Sequence, residues 1–283
     1  MTAQRNFCLG NSPFKIDFWM RNRTLFFGEG LFETFRVYEG RKLAFVEDHL
    51  DRMAAGCRFF ALPFSRSEAM DALKLVLDEI SPDTEVRLRL NLICYGDHDV
   101  EKTELRTSWE PLRKVSIQQG PGVKLGLAPF QRFSDSPLVR FKTASYLENI
   151  FVFTWARRQG FFDALFTNER GEITEGSITN VFFLSKGHIF TPPTDAGLLP
   201  GVTRKHIIKV ARKLGFSLTE STVTPADLKQ FDGVFVTNSV IEILPVRNVG
   251  DTDYGVPEMI ETLQEGYRKR LEANMSDFLS PSP

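Results

Sequence analysis

Phe141-Lys142-Thr143-Ala144-Ser145-Tyr146-Leu147-Glu148-Asn149, Gly171-Glu172-Ile173-Thr174-Glu175-Gly176-Ser177-Ile178-Thr179-Asn180-Val181-Phe182 and Leu199-Pro200-Gly201-Val202-Thr203-Arg204 follow one another along the chain, and their order decides how it is read. A lysine, a carboxylate and a tight turn feeding a helix stand in sequence. After Pro200-Gly201, Ile207, Ile208, Val210, Ala211 and Leu214 recur at helical spacing, and Gly215 stops the run. The backbone N–H groups of Val202 and Thr203 then lack partners inside that helix. They favour an anion; a phosphate fits well, and water is the other occupant. Leu147, Ile150, Phe151, Thr154 and Trp155 predict a helix over 146–159, just after Lys142. Taken alone, a lysine at such a place is usually a surface residue. Residues 163–168 read as a strand, Glu169-Arg170-Gly171 as a turn, and residues 172–175 as the return. Val181–Leu184 and His188–Phe190 form a hairpin across Lys186-Gly187.

Upstream, residues 1–24 read as a strand-and-turn entry: Asn11-Ser12-Pro13, then Phe14, Ile16 and Phe18 in alternation, then a turn at Arg21-Asn22-Arg23. Residues 31–38 have a period of two, with Leu31, Glu33, Phe35 and Val37 on one face and Phe32, Thr34, Arg36 and Tyr38 on the other. The pattern favours a surface ion pair for Arg36 over a place in a site. A hairpin turn at Glu39–Lys42 leads to a helix from about Glu47, with Val46, Leu50, Met53, Ala54 and Cys57 inward and Arg52 on what reads as a solvated face. Ser65-Arg66-Ser67-Glu68 resembles a capping box, opening a helix with Ala69, Leu73, Val76, Leu77 and Ile80 inward. From Glu85 to Cys94 the alternation is clean: Val86, Leu88, Leu90 and Leu92 against Arg87, Arg89 and Asn91. Two arginines on one strand face can fork carboxylates, or can simply be an exposed sheet face. Residues 96–114 read as a loop, and Gln118-Gln119-Gly120-Pro121-Gly122 as a domain boundary. Further on, residues 233–237 and 243–246 read as short strands and residues 257–273 as an amphipathic helix carrying Ile260, Leu263, Tyr267 and Leu271. Ser280-Pro281-Ser282-Pro283 reads as a disordered tail.

The totals narrow the class. A chain of 283 residues is long enough for two ordinary domains, and its 42% hydrophobic and 25% charged residues suit a globular protein. A formal net charge of -1 gives no reason to expect a nucleic acid or an anionic membrane as partner. The 26 phenylalanines point to wide aromatic packing, mostly core. Cys8, Cys57 and Cys94 have no CxxC spacing, and His49, His98, His188 and His206 no metal-ligand spacing, so neither a disulfide scaffold nor a metal site is expected. With no signal pattern or spanning apolar run, a cytoplasmic enzyme is the default expectation.

Together these patterns resemble the class IV aminotransferases, the fold type IV pyridoxal phosphate enzymes, over almost the whole chain. Phe27-Gly28-Glu29-Gly30-Leu31-Phe32-Glu33-Thr34 looks like the first strand motif of that family, and His49-Leu50-Asp51-Arg52 is similar to its phosphate-arginine motif. The resemblance implies a two-domain α/β fold. A small N-terminal domain would span residues 1–119, and a larger C-terminal domain with a barrel-like β core would span 120–283. It implies that Lys142 forms the Schiff base with pyridoxal 5'-phosphate and moves protons, and that Glu175 pairs with the pyridine nitrogen. Arg52, the N–H groups of Val202 and Thr203, and Ser239 would hold the phosphate. Leu199 would pack on the ring and Tyr146 hydrogen-bond its 3-oxygen. Arg36, Arg87 and Arg89 become candidates for a substrate carboxylate, with Phe27 and Phe32 walling the pocket and Asn238 beside it. Since part of each pocket in this family comes from a partner's small domain, a homodimer is implied.

The signals for a subfamily conflict. Thr237-Asn238-Ser239 and Lys142-Thr143 with Leu147-Glu148 resemble aminodeoxychorismate lyases, whereas Glu242 before Ile243-Leu244-Pro245-Val246 is more like the aminotransferases. The segment Cys94-Tyr95-Gly96-Asp97-His98-Asp99 departs from the Gly-rich lyase loop. The expectation is amino transfer between an amino acid, D- or branched-chain, and a 2-oxo acid. The alternative is release of pyruvate and 4-aminobenzoate by a lyase.

Overall fold

The computed structural model describes residues 21–112 and 122–275. The expected entry strand, most of the expected domain boundary and the Ser-Pro tail lie outside them. Strand β1 (Gly30–Tyr38) pairs antiparallel with β3 (Val86–Tyr95), in register from Gly30 opposite Ile93 to Val37 opposite Val86. With β2 (Lys42–Leu43) and β4 (Lys102–Pro111) they make a four-stranded sheet in the order β2-β1-β3-β4. The alternation written in β1 and β3 works as expected. Leu31, Phe35 and Val37 meet Val86, Leu88, Leu90 and Leu92 on the face covered by α2 (Val46–Phe59) and α3 (Arg66–Glu79). Ser65 caps α3 by accepting from the Glu68 N–H. Ala54 stays half-buried, and α2 buries His49 and Gly56 instead.

Residues 96–114 are not a loop throughout. β4 pairs with β3 along its whole length, from Val86 opposite Pro111 to Tyr95 opposite Lys102. Its charged side chains read as loop, but most of its residues are exposed and its stability comes from the shared ladder. The turn expected near Arg21–Arg23 becomes a short helix, α1 (Arg23–Phe27), capped by Asn22 and closed by Gly28 in the left-handed region at φ 68°. A Cβ on Gly28 would lie 2.3 Å from the Ser145 Oγ, so glycine there also lets the chain before β1 lie against the Lys142 segment.

The second sheet runs β10-β9-β8-β11-β12-β5-β6-β7, with β13 (Thr252–Asp253) paired to β12. Its strands are β5 (Val123–Leu127), β6 (Asp163–Thr167), β7 (Ile173–Gly176), β8 (Asn180–Ser185), β9 (His188–Thr191), β10 (Ser217–Glu220), β11 (Gly233–Asn238) and β12 (Glu242–Val249). β5 lies parallel to β12 and β6, and β9 lies parallel to β10. Helices α4 (Pro137–Arg140) and α5 (Leu147–Arg158) stand at one end of the sheet. The later α6 (Val202–Lys213) and α7 (Glu258–Glu272) close a core around Phe182, Ile207, Phe235 and Leu263.

The expected stripe on α5 is not the buried one. Leu147, Ile150 and Phe151 are exposed, and the helix buries Asn149, Val152 and Ala156. The register is set by Asn149, whose Nδ2 donates to the Ser177 carbonyl at 2.7 Å. The two sheets meet through side chains: Arg36 of β1 reaches Glu242 of β12, and Lys205 and His206 of α6 reach Asp48 of α2.

Candidate active site

Lys142 lies in the extended link between α4 and α5, and β1 holds that link in place. Phe32 donates its N–H to the Lys142 carbonyl at 2.9 Å, and Ala144 donates to the Gly30 carbonyl at 2.8 Å. The link therefore runs as a short extra strand beside β1 and carries Lys142 into a cavity of about 580 Å³ between the two sheets. Phe32, Arg52, Arg87, Arg89, Lys142, Tyr146, Glu175, Leu199, Val202, Thr203, Asn238 and Ser239 all line it. Residues scattered over more than two hundred positions thus meet in one space.

Two expected residues stand elsewhere. Phe27 projects from α1, 66% exposed, and does not line the cavity of its own chain. Arg36 does not line it either; it sits between Glu85, at 2.9 and 3.0 Å, and Glu242, at 2.9 Å. That is the ion pair its strand position suggested, shared between the two sheets. Glu242, singled out for its likeness to aminotransferases, belongs to this pair and also accepts from the Tyr38 hydroxyl at 3.2 Å.

The Lys142 ammonium lies over the Phe32 ring, 4.4 Å from its centroid. Burial, then the nearby Arg52 and Arg89 charges, bring its pKa down to about 8. Glu175 enters from β7. Its Oε2 accepts from the Leu199 N–H at 3.1 Å and Asn180 Nδ2 at 3.2 Å, and its Oε1 lies 3.4 Å from Arg132 Nη1. Burial pushes this carboxyl up to about 7; Arg132, the Leu199 N–H and Lys142 oppose the rise. A further cation at the cavity side would hold it ionised. Arg89 also lies against the Phe32 ring, its guanidinium 3.6 Å from the ring centroid. Burial lowers its pKa, and no carboxylate among the described residues pairs with it. Arg87, half out in solvent, is paired with Glu110 of β4 at 2.6 Å.

Several lining or supporting residues escaped the sequence reading. Arg132 and Asn180 hold Glu175; Asn180 also donates to the Leu199 carbonyl at 3.0 Å, tying β8 to the turn before α6. Fully buried Asp163 accepts from the N–H groups of Ser177 and Ile178 and from the Thr179 hydroxyl, which fixes the turn between Glu175 and Asn180. Tyr146 donates its hydroxyl to the Ser177 carbonyl in that same turn, and burial raises its pKa. Asn238 makes a tight turn by accepting from the N–H groups of Val240 and Ile241, both at 2.9 Å. No motif announced Arg132, Asp163 or Asn180, whereas Tyr146 and Asn238 stood among the expected residues. The signal available was weaker: polar residues inside otherwise apolar strands, as with Asp163, Thr237 and Asn180.

The cavity suits pyridoxal phosphate. The α6 N-terminus opens into it with Gly201 as N-cap, no side-chain cap and no acidic residue in the first turn, so its free N–H groups and positive dipole end face the cavity. Arg52 and Ser239 stand at the same place, and buried Thr237 Oγ1 has no hydrogen-bond partner. Five cations, Arg52, Arg87, Arg89, Arg132 and Lys142, line the space against two carboxylates, Glu110 and Glu175. That excess suits a phosphate plus a carboxylate. A carboxylate for a ring nitrogen and an amine for an aldehyde complete the set of donors.

The family model for amino-transferase class IV matches residues 30–249. The aminodeoxychorismate lyase of Bacillus subtilis is 30% identical over 261 residues, covering 87% of each chain. The branched-chain-amino-acid aminotransferase of Escherichia coli K12 is 28% identical over 252 residues, covering 83% of this chain and 80% of that one. In fold, the branched-chain aminotransferase from Thermoproteus uzoniensis superposes with a TM-score of 0.81 at 24% identity, over 91% of this chain and 90% of that chain. The chain therefore belongs to the class IV aminotransferases, fold type IV enzymes whose cofactor is pyridoxal phosphate.

Proposed function

We propose that this protein is an aminotransferase that moves an amino group between an amino acid and a 2-oxo acid, with Lys142 as its proton carrier. Arg89 carries the reading. Of the three arginines expected for a substrate carboxylate, Arg36 and Arg87 already have anionic partners, and Arg89, near Lys142, has none among the described residues. A guanidinium in that position offers two parallel donors to a substrate carboxylate. It would hold the α-carbon within reach of the lysine.

Bound pyridoxal phosphate supplies an aldehyde that condenses with amines and a protonated ring that draws electrons from the substrate's α-carbon. The chain supplies the rest. With its pKa near 8, the Lys142 amine could take the α-proton and deliver it to the carbon on the far side of the substrate nitrogen, two atoms along. Glu175, anchored by Arg132 and the Leu199 N–H and ionised by a cation at the ring nitrogen, would stabilise that positive charge in return. Arg52, Ser239 and the α6 N-terminus would hold the phosphate and Leu199 would pack on the ring, while the Phe32 ring carries both the lysine and Arg89 against it. The division into domains of residues 1–119 and 120–283 belongs to this reading and is supported by the two separate sheets. So does a homodimer, in which Phe27 would reach a partner's cavity. No helix among the described residues is long and apolar enough to cross a membrane, which fits the proposed cytoplasmic site of action.

A lyase reading has its own support in the Bacillus subtilis relative and in the Asn238 turn at the cavity wall. One experiment separates the two. Absorption spectra of the purified, cofactor-loaded protein are recorded with D- and L-amino acids in turn. Conversion of the yellow band to the pyridoxamine form with one enantiomer is expected, and it names the donor's hand. A band indifferent to every amino acid, with rapid 4-aminobenzoate release from aminodeoxychorismate, would replace the reading with the lyase.

A further inference from the structure

Glu33 is out of place by its pattern. It shares the buried face of β1 with Leu31, Phe35 and Val37, and it has no exposed surface. Its carboxylate is filled on both sides. Oε1 accepts from Arg52 Nε at 2.8 Å and Oε2 from Arg52 Nη2 at 2.6 Å, a two-point fork. The same Oε2 lies 2.7 Å from His49 Nδ1. A carboxylate only accepts, so His49 carries a hydrogen on Nδ1; when neutral, its Nε2 accepts the Ser239 hydroxyl at 3.3 Å. His49 and Arg52, three apart on α2, share one helix face. The fork uses up one edge of the guanidinium and leaves Nη1, which donates to the Pro200 carbonyl just before α6.

We propose that Glu33 is a positioning residue for the phosphate subsite. It locks the Arg52 guanidinium toward the N-terminus of α6 and, through His49, pins the Ser239 turn that follows β11. This rests on the reading of Arg52 and Ser239 as phosphate contacts. One buried carboxylate then fixes two contacts from separate elements, one on α2 and one in the turn after β11. Charge alone makes the opposite prediction. Removing an anion from beside Arg52 leaves a stronger positive field at the subsite, which would tighten phosphate binding. Positioning predicts that the freed arginine must be ordered anew by each ligand, which weakens it.

The test titrates apo protein with pyridoxal 5'-phosphate and, separately, with pyridoxal, which lacks the phosphate, in phosphate-free buffer. Thermal melts of each apo variant check folding. Glu33→Gln keeps the shape and removes the charge. It is expected to weaken pyridoxal phosphate on the order of tenfold and to leave pyridoxal unchanged. Unchanged or tighter phosphate-ligand binding, or equal losses for both ligands, overturns the proposal. Arg52→Ala reports on the underlying reading. If it spares the preference for the phosphorylated ligand, the subsite has been misplaced. If Arg52→Ala abolishes that preference and Glu33→Gln does not reduce it, the subsite stands and the positioning role fails. His49→Gln leaves the fork in place and covers the case in which Glu33→Gln does not fold. A severalfold loss is expected for the phosphorylated ligand alone, and equal losses for both ligands overturn the relay to Ser239.

Discussion

Lys142 and Glu175 are two charges held against their solvation, and they respond to pH in opposite directions over separate ranges. The folded protein gives up the Lys142 proton near pH 8, while the unfolded chain keeps it to about 10.5, the ordinary lysine value. Between those values the unfolded state binds more protons, so stability rises with pH. Below pH 8 both states hold the proton, and the folded one carries the whole cost of the buried ammonium. For Glu175 the folded value of about 7 lies above the ordinary glutamate value of 4.5, so its contribution falls as pH rises through that lower range. Lys142→Met should therefore raise the melting temperature of the cofactor-free protein by several degrees at pH 7, with the gain shrinking by pH 10. Melting curves at the two pH values check this. A variant that melts no higher than wild type at pH 7 would mean that the ammonium is well compensated. The same variant should have no turnover. At this scale the sequence drew attention to residues that do line the cavity where they fall in short distinctive runs, as with Lys142, Glu175, and Arg52 after His49. It was not readable where a partner is remote and plain. Arg132 stands 43 positions from Glu175, and Glu33 sits among core residues as one polar letter in an apolar strand face.

Among the elements, the strands whose two faces differ in burial were legible and those without that contrast were not. β3 alternates buried and open residues and could be written down from its sequence, whereas β4 is open along most of its length and carries no such signal. The α5 helix shows the converse. Its existence was legible, but its largest apolar residues face outward, because a hydrogen bond from Asn149 sets the rotation. The turn into α6 is where one atom matters most. Gly201 has an ordinary φ of -63°, so glycine is not required there by torsion. It is required by space: a Cβ would lie 2.0 Å from Asn180 Oδ1. Asn180 is already bonded to Glu175 and the Leu199 carbonyl and has nowhere to retreat. Gly201→Ala should thus cost about 1–3 kcal/mol of stability, the usual range for overpacking, and should also loosen the cofactor, because the displaced amide leaves Glu175. Equilibrium unfolding together with cofactor release on dialysis tests both. A variant with wild-type stability and retention would mean that the turn can shift without disturbing the site.

For the whole molecule, the exposed apolar side chains are not evenly spread. Leu25, Phe26 and Phe27 on α1 are 59%, 58% and 66% exposed, and Leu147, Ile150 and Phe151 on α5 are 81%, 48% and 54% exposed. The two helices approach each other where Gly28 meets Ser145, beside Lys142. Large exposed apolar groups gathered on one side of a protein mark a surface that another surface covers. This side borders the cavity, since Leu138, Tyr146 and Ile150 belong to its lining. A second copy of the chain, related by a two-fold axis, would cover each patch with its own counterpart. It would also bring Phe27, idle in its own chain, to the neighbouring cavity. The protein should therefore sediment at twice its 32.2 kDa chain mass. Placing a charge in the patch, as in Leu147→Lys or Phe27→Lys, should shift it toward the monomer. Activity should fall in step with the dimer fraction, since one wall of each cavity leaves with the partner. Each variant's secondary structure, followed by circular dichroism, should stay that of wild type, because neither side chain is part of its own chain's core. A wild-type protein that sediments as a fully active monomer at working concentration would end the dimer proposal, and with it the placing of Phe27 at a substrate site.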